Sequence, residues 1–123
     1  MNRTSFTSWL DSLGKAWMSL NPKGAAAICA EDVDWHEGPF DKPVKSREEV
    51  EKIWADVPES HKDVEFQYEI LSVDNDLGIA RWWASFTRVK TNERVTLDGI
   101  YKVRLNDSGL CKEFHQWAVS KPM

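Results

Sequence analysis

The sequence predicts an α+β domain in which helices come first and cover one face of a curved, mostly antiparallel sheet. Three observations predict it. Up to about residue 57, apolar residues recur at spacings of three and four, the helical period. From Asp63 onward they alternate with polar residues, the strand period. Short polar stretches at Asn75-Asp76, near Thr91-Asn92 and at Asn106–Gly109 cut this second part into four runs, as in a meander. Helices followed by consecutive antiparallel strands make an α+β fold. The predicted order is α-α-β-α-β-β-β-β, and 123 residues suit one domain, 1–123, with a single core.

Each element has its own signature. Ser5 to Leu20 is an amphipathic helix, with Phe6, Trp9, Leu10, Leu13, Trp17 and Leu20 on one stripe and Thr4 or Ser5 as cap. Asn21-Pro22 closes it and opens a second, short helix, because Asn favours the N-cap and Pro the first helical position. Val33 to Glu37 is a short strand whose Val33, Trp35 and Glu37 point one way and Asp34 and His36 the other. After the loop Gly38–Pro43, Ser46 and Glu49 form a capping box for a third helix. That helix carries Val50, Ile53, Trp54 and Val57 and ends at Pro58.

Pairing the last strands about Thr91-Asn92 and about Asp107-Ser108 sorts the sheet into two faces. One gathers Ala80, Trp82, Ala84, Phe86, Leu97, Gly99, Tyr101, Val103, Leu110, Phe114, Gln116 and Ala118, and takes the helices. The other gathers Arg81, Trp83, Ser85, Asp98, Ile100, Lys102, Arg104, Glu113, His115 and Trp117, with Lys102 opposite Glu113. Trp83, Ile100, His115 and Trp117 cluster at its centre inside a charged rim, which is the composition of a dimer interface.

Composition narrows the function. Lys and Arg form no block and the net charge is −4, so nucleic acid is not expected as a partner. No apolar run approaches a membrane span, and the polar N-terminus does not read as a signal peptide, so a cytoplasmic chain is expected. Cys29 and Cys111 read as two buried thiols. No histidine or cysteine spacing suits a metal, and no glycine-rich phosphate loop is present; neither metal nor cofactor is expected. Seven tryptophans are difficult to bury fully in so small a domain, so some are expected to line a cavity or an interface.

The stretches AEDVDWHEGPF (30–40), ARWWASFTR (80–88) and LDGIYKVRLNDSGLCKEFHQW (97–117), set in this order of elements, resemble the nuclear transport factor 2-like superfamily, and within it the SnoaL-like group. One branch of that group ends its last strand in Glu-Trp-Trp; here the triplet is Gln116-Trp117-Ala118. The resemblance implies a conical half-barrel with a small apolar molecule in its cavity and a homodimer through the outer sheet face. Pocket-lining residues would be Trp9, Leu13, Trp17, Trp35, Phe40, Trp54, Trp82, Phe86, Gly99, Phe114, Gln116 and Ala118. The general-base carboxylate of the isomerases falls on Glu37, and their oxyanion-hole acid falls on Tyr101, a phenol that can still donate a hydrogen bond. Their second donor, a tyrosine in the first helix, falls near Leu13 and is missing. A carboxylate beside indoles is desolvated and becomes a better base near neutrality. Two readings stay open: a cofactor-free isomerase, cyclase or dehydratase of an apolar carbonyl compound, and a non-catalytic binding or assembly module.

Overall fold

The computed structural model describes all of residues 1–123. Four helices and five strands follow the predicted order with one addition. Helix α1 (Arg3–Met18) starts earlier than expected. Asn2 rather than Thr4 or Ser5 is the cap, because Asn2 Oδ1 accepts from the Ser5 N–H and Ser5 Oγ accepts from the Asn2 N–H. Helix α2 (Pro22–Ala27) begins as expected, with the Asn21 side chain accepting from the Gly24 N–H at 3.1 Å. Strand β1 (Cys29–His36) is longer than the expected Val33–Glu37. Helix α3 (Arg47–Ile53) is capped by Ser46, which accepts from the Glu49 N–H at 3.2 Å. Pro58 does not end it; it lies in the first turn of a further single-turn helix, α4 (Val57–Ser60), where its missing N–H costs nothing.

The strands β2 (His61–Asp74), β3 (Leu77–Arg88), β4 (Arg94–Leu105) and β5 (Cys111–Pro122) form the meander. The sheet order is β1-β5-β4-β3-β2, and β1 runs parallel to β5. Both hairpin registers differ by two residues from those expected. Trp82 faces Gly99 rather than Tyr101, and Tyr101 faces Gln116 rather than Phe114. The first loop is wider than two residues, with the Arg88 N–H bonded to the Glu93 carbonyl and Asn92 at φ 58°. A shift of two leaves every side chain on its predicted face, since the period of a strand is two. A bulge after Arg104 does change parity locally: Cys111, not Leu110, pairs with Leu105. Glu113 stands opposite Arg104, and Lys102 reaches it diagonally at 3.5 Å.

The helices cover the predicted face. Phe6, Leu10 and Leu13 of α1 are buried against Val33, Trp35, Ala80, Trp82, Val103 and Phe114. Both cysteines are buried and face each other across β1 and β5. Burial raises the Cys29 thiol to about 12, so it stays protonated. Gly99 allows both the β5 backbone and the Trp82 indole to approach the sheet: a β-carbon there would collide with the Trp117 carbonyl and stand 2.9 Å from Trp82 Nε1. No helix is long and apolar enough to cross a membrane.

Candidate functional site

Between the helices and the inner sheet face lies a cavity of about 370 Å³. Eleven of its fifteen lining residues are apolar, which suits a small organic ligand. An outer-face groove among Arg81, Trp83, Asp98 and Val119 has only three apolar residues of eight, and its Arg81 and Asp98 are already paired at 3.1 and 2.6 Å. The inner cavity is therefore the candidate site.

A continuous series of rings forms its wall. Trp17 meets Trp82 edge-on at 5.9 Å, Trp82 stacks on Tyr101 at 4.9 Å, Tyr101 touches Phe114 at 5.1 Å, and Phe114 stacks on Trp35 at 3.8 Å. The series exists because α1, Trp35 of β1 and the inward-facing positions of β3, β4 and β5 (Trp82, Tyr101 and Phe114) meet at one level of the sheet. Trp82 Nε1 is also a fully enclosed polar atom with no partner in the protein.

At one end stands Glu37, just past β1. The parallel pairing of β1 with β5 places His36 beside His115, and so brings Glu37 level with Gln116. The Trp35 indole N–H donates to Glu37 Oε1 at 2.7 Å, and Gln116 Nε2 donates to Glu37 Oε2 at 3.2 Å and to the Glu37 carbonyl at 3.0 Å. Burial nonetheless pushes the Glu37 carboxyl above its ordinary value, with the Asp41 charge adding to the effect and the two side-chain bonds opposing it. Tyr101 lines the same end and is 3% exposed. Burial first, then the Glu37 charge, raise its phenol well above the usual value. It is thus a neutral donor beside a carboxylate whose basicity is enhanced.

At the other end stand Ile53, Trp54, Asp56, Val57 and His61. Ile53 and Asp56 are exposed, which marks this end as the mouth. The Trp17 indole N–H donates to His61 Nδ1 at 3.0 Å, and the imidazole stacks on Phe86 at 3.9 Å. Burial lowers the His61 pKa; Asp56 opposes the shift and Arg88 adds to it.

The sequence-predicted pocket residues divide. Leu13, Trp17, Trp35, Trp54, Trp82, Phe86, Phe114 and Gln116 line the cavity together with Glu37 and Tyr101. Four others do not. Trp9 is packed into the core, its indole bonded to the Ile28 carbonyl at 2.9 Å. Phe40 is 100% exposed, because the loop after Glu37 turns outward. Gly99 lies beneath the Trp82 ring. Ala118 has inward parity but is exposed, where no helix covers the sheet. Sequence reading missed His61 for a physical reason. Asp63 takes a left-handed φ of 53° at a bulge between Lys62 and Glu65. That bulge resets the alternation, so parity counted back from Val64, Phe66 and Tyr68 misplaces His61.

On the outer face, His115 stacks on His36 at 4.1 Å and on Trp117 at 5.9 Å. Arg81 lies over the Trp83 ring at 5.1 Å, and Trp117 is 43% exposed. No group of three or more His, Cys, Asp or Glu side chains gathers anywhere as a metal site would require.

A family model for the SnoaL-like domain matches residues 10–114. Among solved structures, a proposed isomerase from Bacillus subtilis superposes with a TM-score of 0.85 at 15% identity, covering 97% of this chain and 90% of that one. The epoxide hydrolase/cyclase-like enzyme SalBIII, of pyran ring formation in the polyether salinomycin, gives 0.84 at 8% identity over 99% and 98%. A hexachlorocyclohexane dehydrochlorinase, LinA type 2, gives 0.79 at 13% over 98% and 88%. At these identities the likeness is one of fold. Among curated proteins, no sequence matches the chain.

Proposed function

The chain belongs to the SnoaL-like domain family, and from that premise we propose that it is a cofactor-free isomerase, cyclase or dehydratase acting on a small apolar carbonyl compound. The single observation that carries the reading is the Glu37 carboxylate, held by Trp35 and Gln116 at the end of an aromatic cavity away from His61 and facing the same space as the Tyr101 phenol.

Chemically the pair is suited to proton transfer next to a carbonyl. Glu37, made more basic by burial, removes the proton from the carbon beside the carbonyl group. The Tyr101 hydroxyl donates to the carbonyl oxygen as negative charge develops there. Glu37 then returns the proton to another carbon, or the enolate expels a leaving group. Both oxygens of Glu37 are already hydrogen-bonded, which fixes the carboxylate in place but leaves lone pairs for the substrate proton. The structural neighbours whose descriptions name isomerase, cyclase and dehydrochlorinase chemistry are consistent with this class of reaction.

A second reading rests on a specific observation. The inner end holds one carboxylate and one phenol where the family's isomerases, by resemblance, have two carboxylic acids and a tyrosine. A non-catalytic binding module needs only the cavity. Glu37→Gln separates the two. With an enzyme, turnover of apolar carbonyl compounds is lost while ligand affinity is kept or improved. With a binding module, no turnover is found in the wild type, and ligand affinity is kept or improved in the variant.

The same proposal takes the outer face, with Trp83, Ile100, His115 and Trp117, as the contact between two copies of the chain.

A further inference from the structure

The cavity is polar at both ends, and the proposed reaction uses only one of them. Asp56 and His61 form the other. They flank the single turn of α4, Asp56 before it and His61 after it, so both stand on one rim of the mouth. An indole N–H can only donate. The His61 Nδ1 that Trp17 reaches at 3.0 Å therefore carries a lone pair, and the ring proton sits on Nε2. Stacking on Phe86 at 3.9 Å fixes the plane of the ring. The Nε2–H meets no acceptor in the protein. The Asp56 carboxylate, although it occupies a capping position, makes no capping bond and no ion pair. The mouth thus presents one fixed neutral donor and one free acceptor side by side, both lining the cavity.

We propose that this rim recognises a hydroxyl group on the far end of the ligand, with His61 Nε2–H donating to its oxygen and the Asp56 carboxylate accepting its O–H. The ligand class is then a hydroxylated carbonyl compound on an apolar skeleton. A hydroxyl both donates and accepts, so it satisfies both side chains at once. An ether oxygen satisfies only His61, a methyl group neither. A carboxylate is repelled by Asp56. The inference deepens the carbonyl reading and rests on the same cavity.

The test uses a bicyclic ketone with a ring hydroxyl remote from the carbonyl (a hydroxytetralone), the matched methoxy- and methyltetralones, and the hydroxy- and methyltetralins, which lack the carbonyl. Binding is followed by tryptophan fluorescence and calorimetry in the wild type, Asp56→Ala and His61→Phe. The hydroxytetralone is expected to bind about tenfold more tightly than its methyl and methoxy partners, the equivalent of one good hydrogen bond. That preference should vanish in both variants. His61→Phe leaves the Trp17 N–H without an acceptor and can unfold the chain; Asp56→Ala is an exposed change, and its result decides alone. Equal binding of the three ketones, or a hydroxyl preference that survives Asp56→Ala, overturns the proposal. The tetralins separate it from the carbonyl reading. If they bind as well as the ketones and keep the Asp56-dependent hydroxyl preference, the rim site stands and the carbonyl reading falls. If ketones bind better but without regard to the hydroxyl, the reverse holds. Failure of every probe to bind overturns both.

Discussion

Replacing Gln116 by Leu tests whether the Glu37 carboxylate is held as a charged, oriented group. The change removes two hydrogen bonds from Gln116 Nε2, one to the Glu37 carbonyl at 3.0 Å and one to Glu37 Oε2 at 3.2 Å. At pH 4 the raised carboxyl is largely protonated, and two neutral bonds are lost, about 2 kcal/mol together. Once pH rises above the raised value the carboxyl is charged. A bond to a charged group contributes about 1.5–3 kcal/mol, and the 3.2 Å length places this one at the low end. In that charged state, taken at pH 8, the variant should therefore be about 2.5–3 kcal/mol less stable, so the gap widens by roughly 0.5–1 kcal/mol. The sign follows from the direction of the shift. A carboxyl whose folded pKa is raised contributes stability that is full below its ordinary value and is lost as pH rises through the folded one. Removing a bond that favours the charged form makes that loss deeper. Urea unfolding at the two pH values is the assay. With a slope of about 2 kcal/mol per molar, the midpoint difference between wild type and variant should grow by about 0.25–0.5 M from pH 4 to pH 8. A difference that is constant, or larger at pH 4, refutes the picture of a charge-assisted bond to Glu37.

Three further outcomes are expected. Gly99→Ala drives a β-carbon into the Trp117 carbonyl and to 2.9 Å from Trp82 Nε1 and should cost about 1–3 kcal/mol by overpacking, with a changed near-ultraviolet dichroism where Trp82 is displaced; an unchanged melting temperature would show that neither the backbone of β5 nor Trp82 packs against Gly99. Nitrogen-detected NMR of the histidines should find His61 as the Nε2–H form with Nδ1 unprotonated at neutral pH, titrating below the ordinary histidine value, because burial lowers its pKa and Trp17 occupies Nδ1. Its stability contribution is present above the ordinary histidine value and is lost as pH falls through the lowered one; a protonated Nδ1 at neutral pH would contradict the geometry. Trp117→Ala, at a position 43% exposed, should shift sizing chromatography from dimer to monomer with little change in the monomer's own stability. A wild type that elutes as a monomer removes the outer-face contact.

Much of the architecture was legible in the chain. The change from helical to alternating period separates the helices from the meander, and Asn21-Pro22 and Ser46 mark two helix starts by local hydrogen bonding alone. Face assignment survived two register errors because each was an even number of residues. Glu37 and Tyr101 could be singled out one at a time, by strand parity and by likeness to a family. Their meeting in one cavity could not. It depends on the parallel pairing of β1 with β5, a contact across some eighty positions for which a single sequence has no local signal. The same holds for Gln116 as the partner of Glu37.

The sequence by itself therefore determined the three longer helices, the five strands, their order and, away from the bulges, which face of each strand turns inward, since these follow from periodicity and capping within a few residues. Only the tertiary structure decided which inward residues share a cavity. Phe40 is turned out to solvent and Gly99 covered by an indole, while the bulge at Asp63 carries His61 to the mouth opposite Glu37. Those outcomes depend on how strands pair and where the backbone breaks its period, and both are set by packing between segments far apart in the chain.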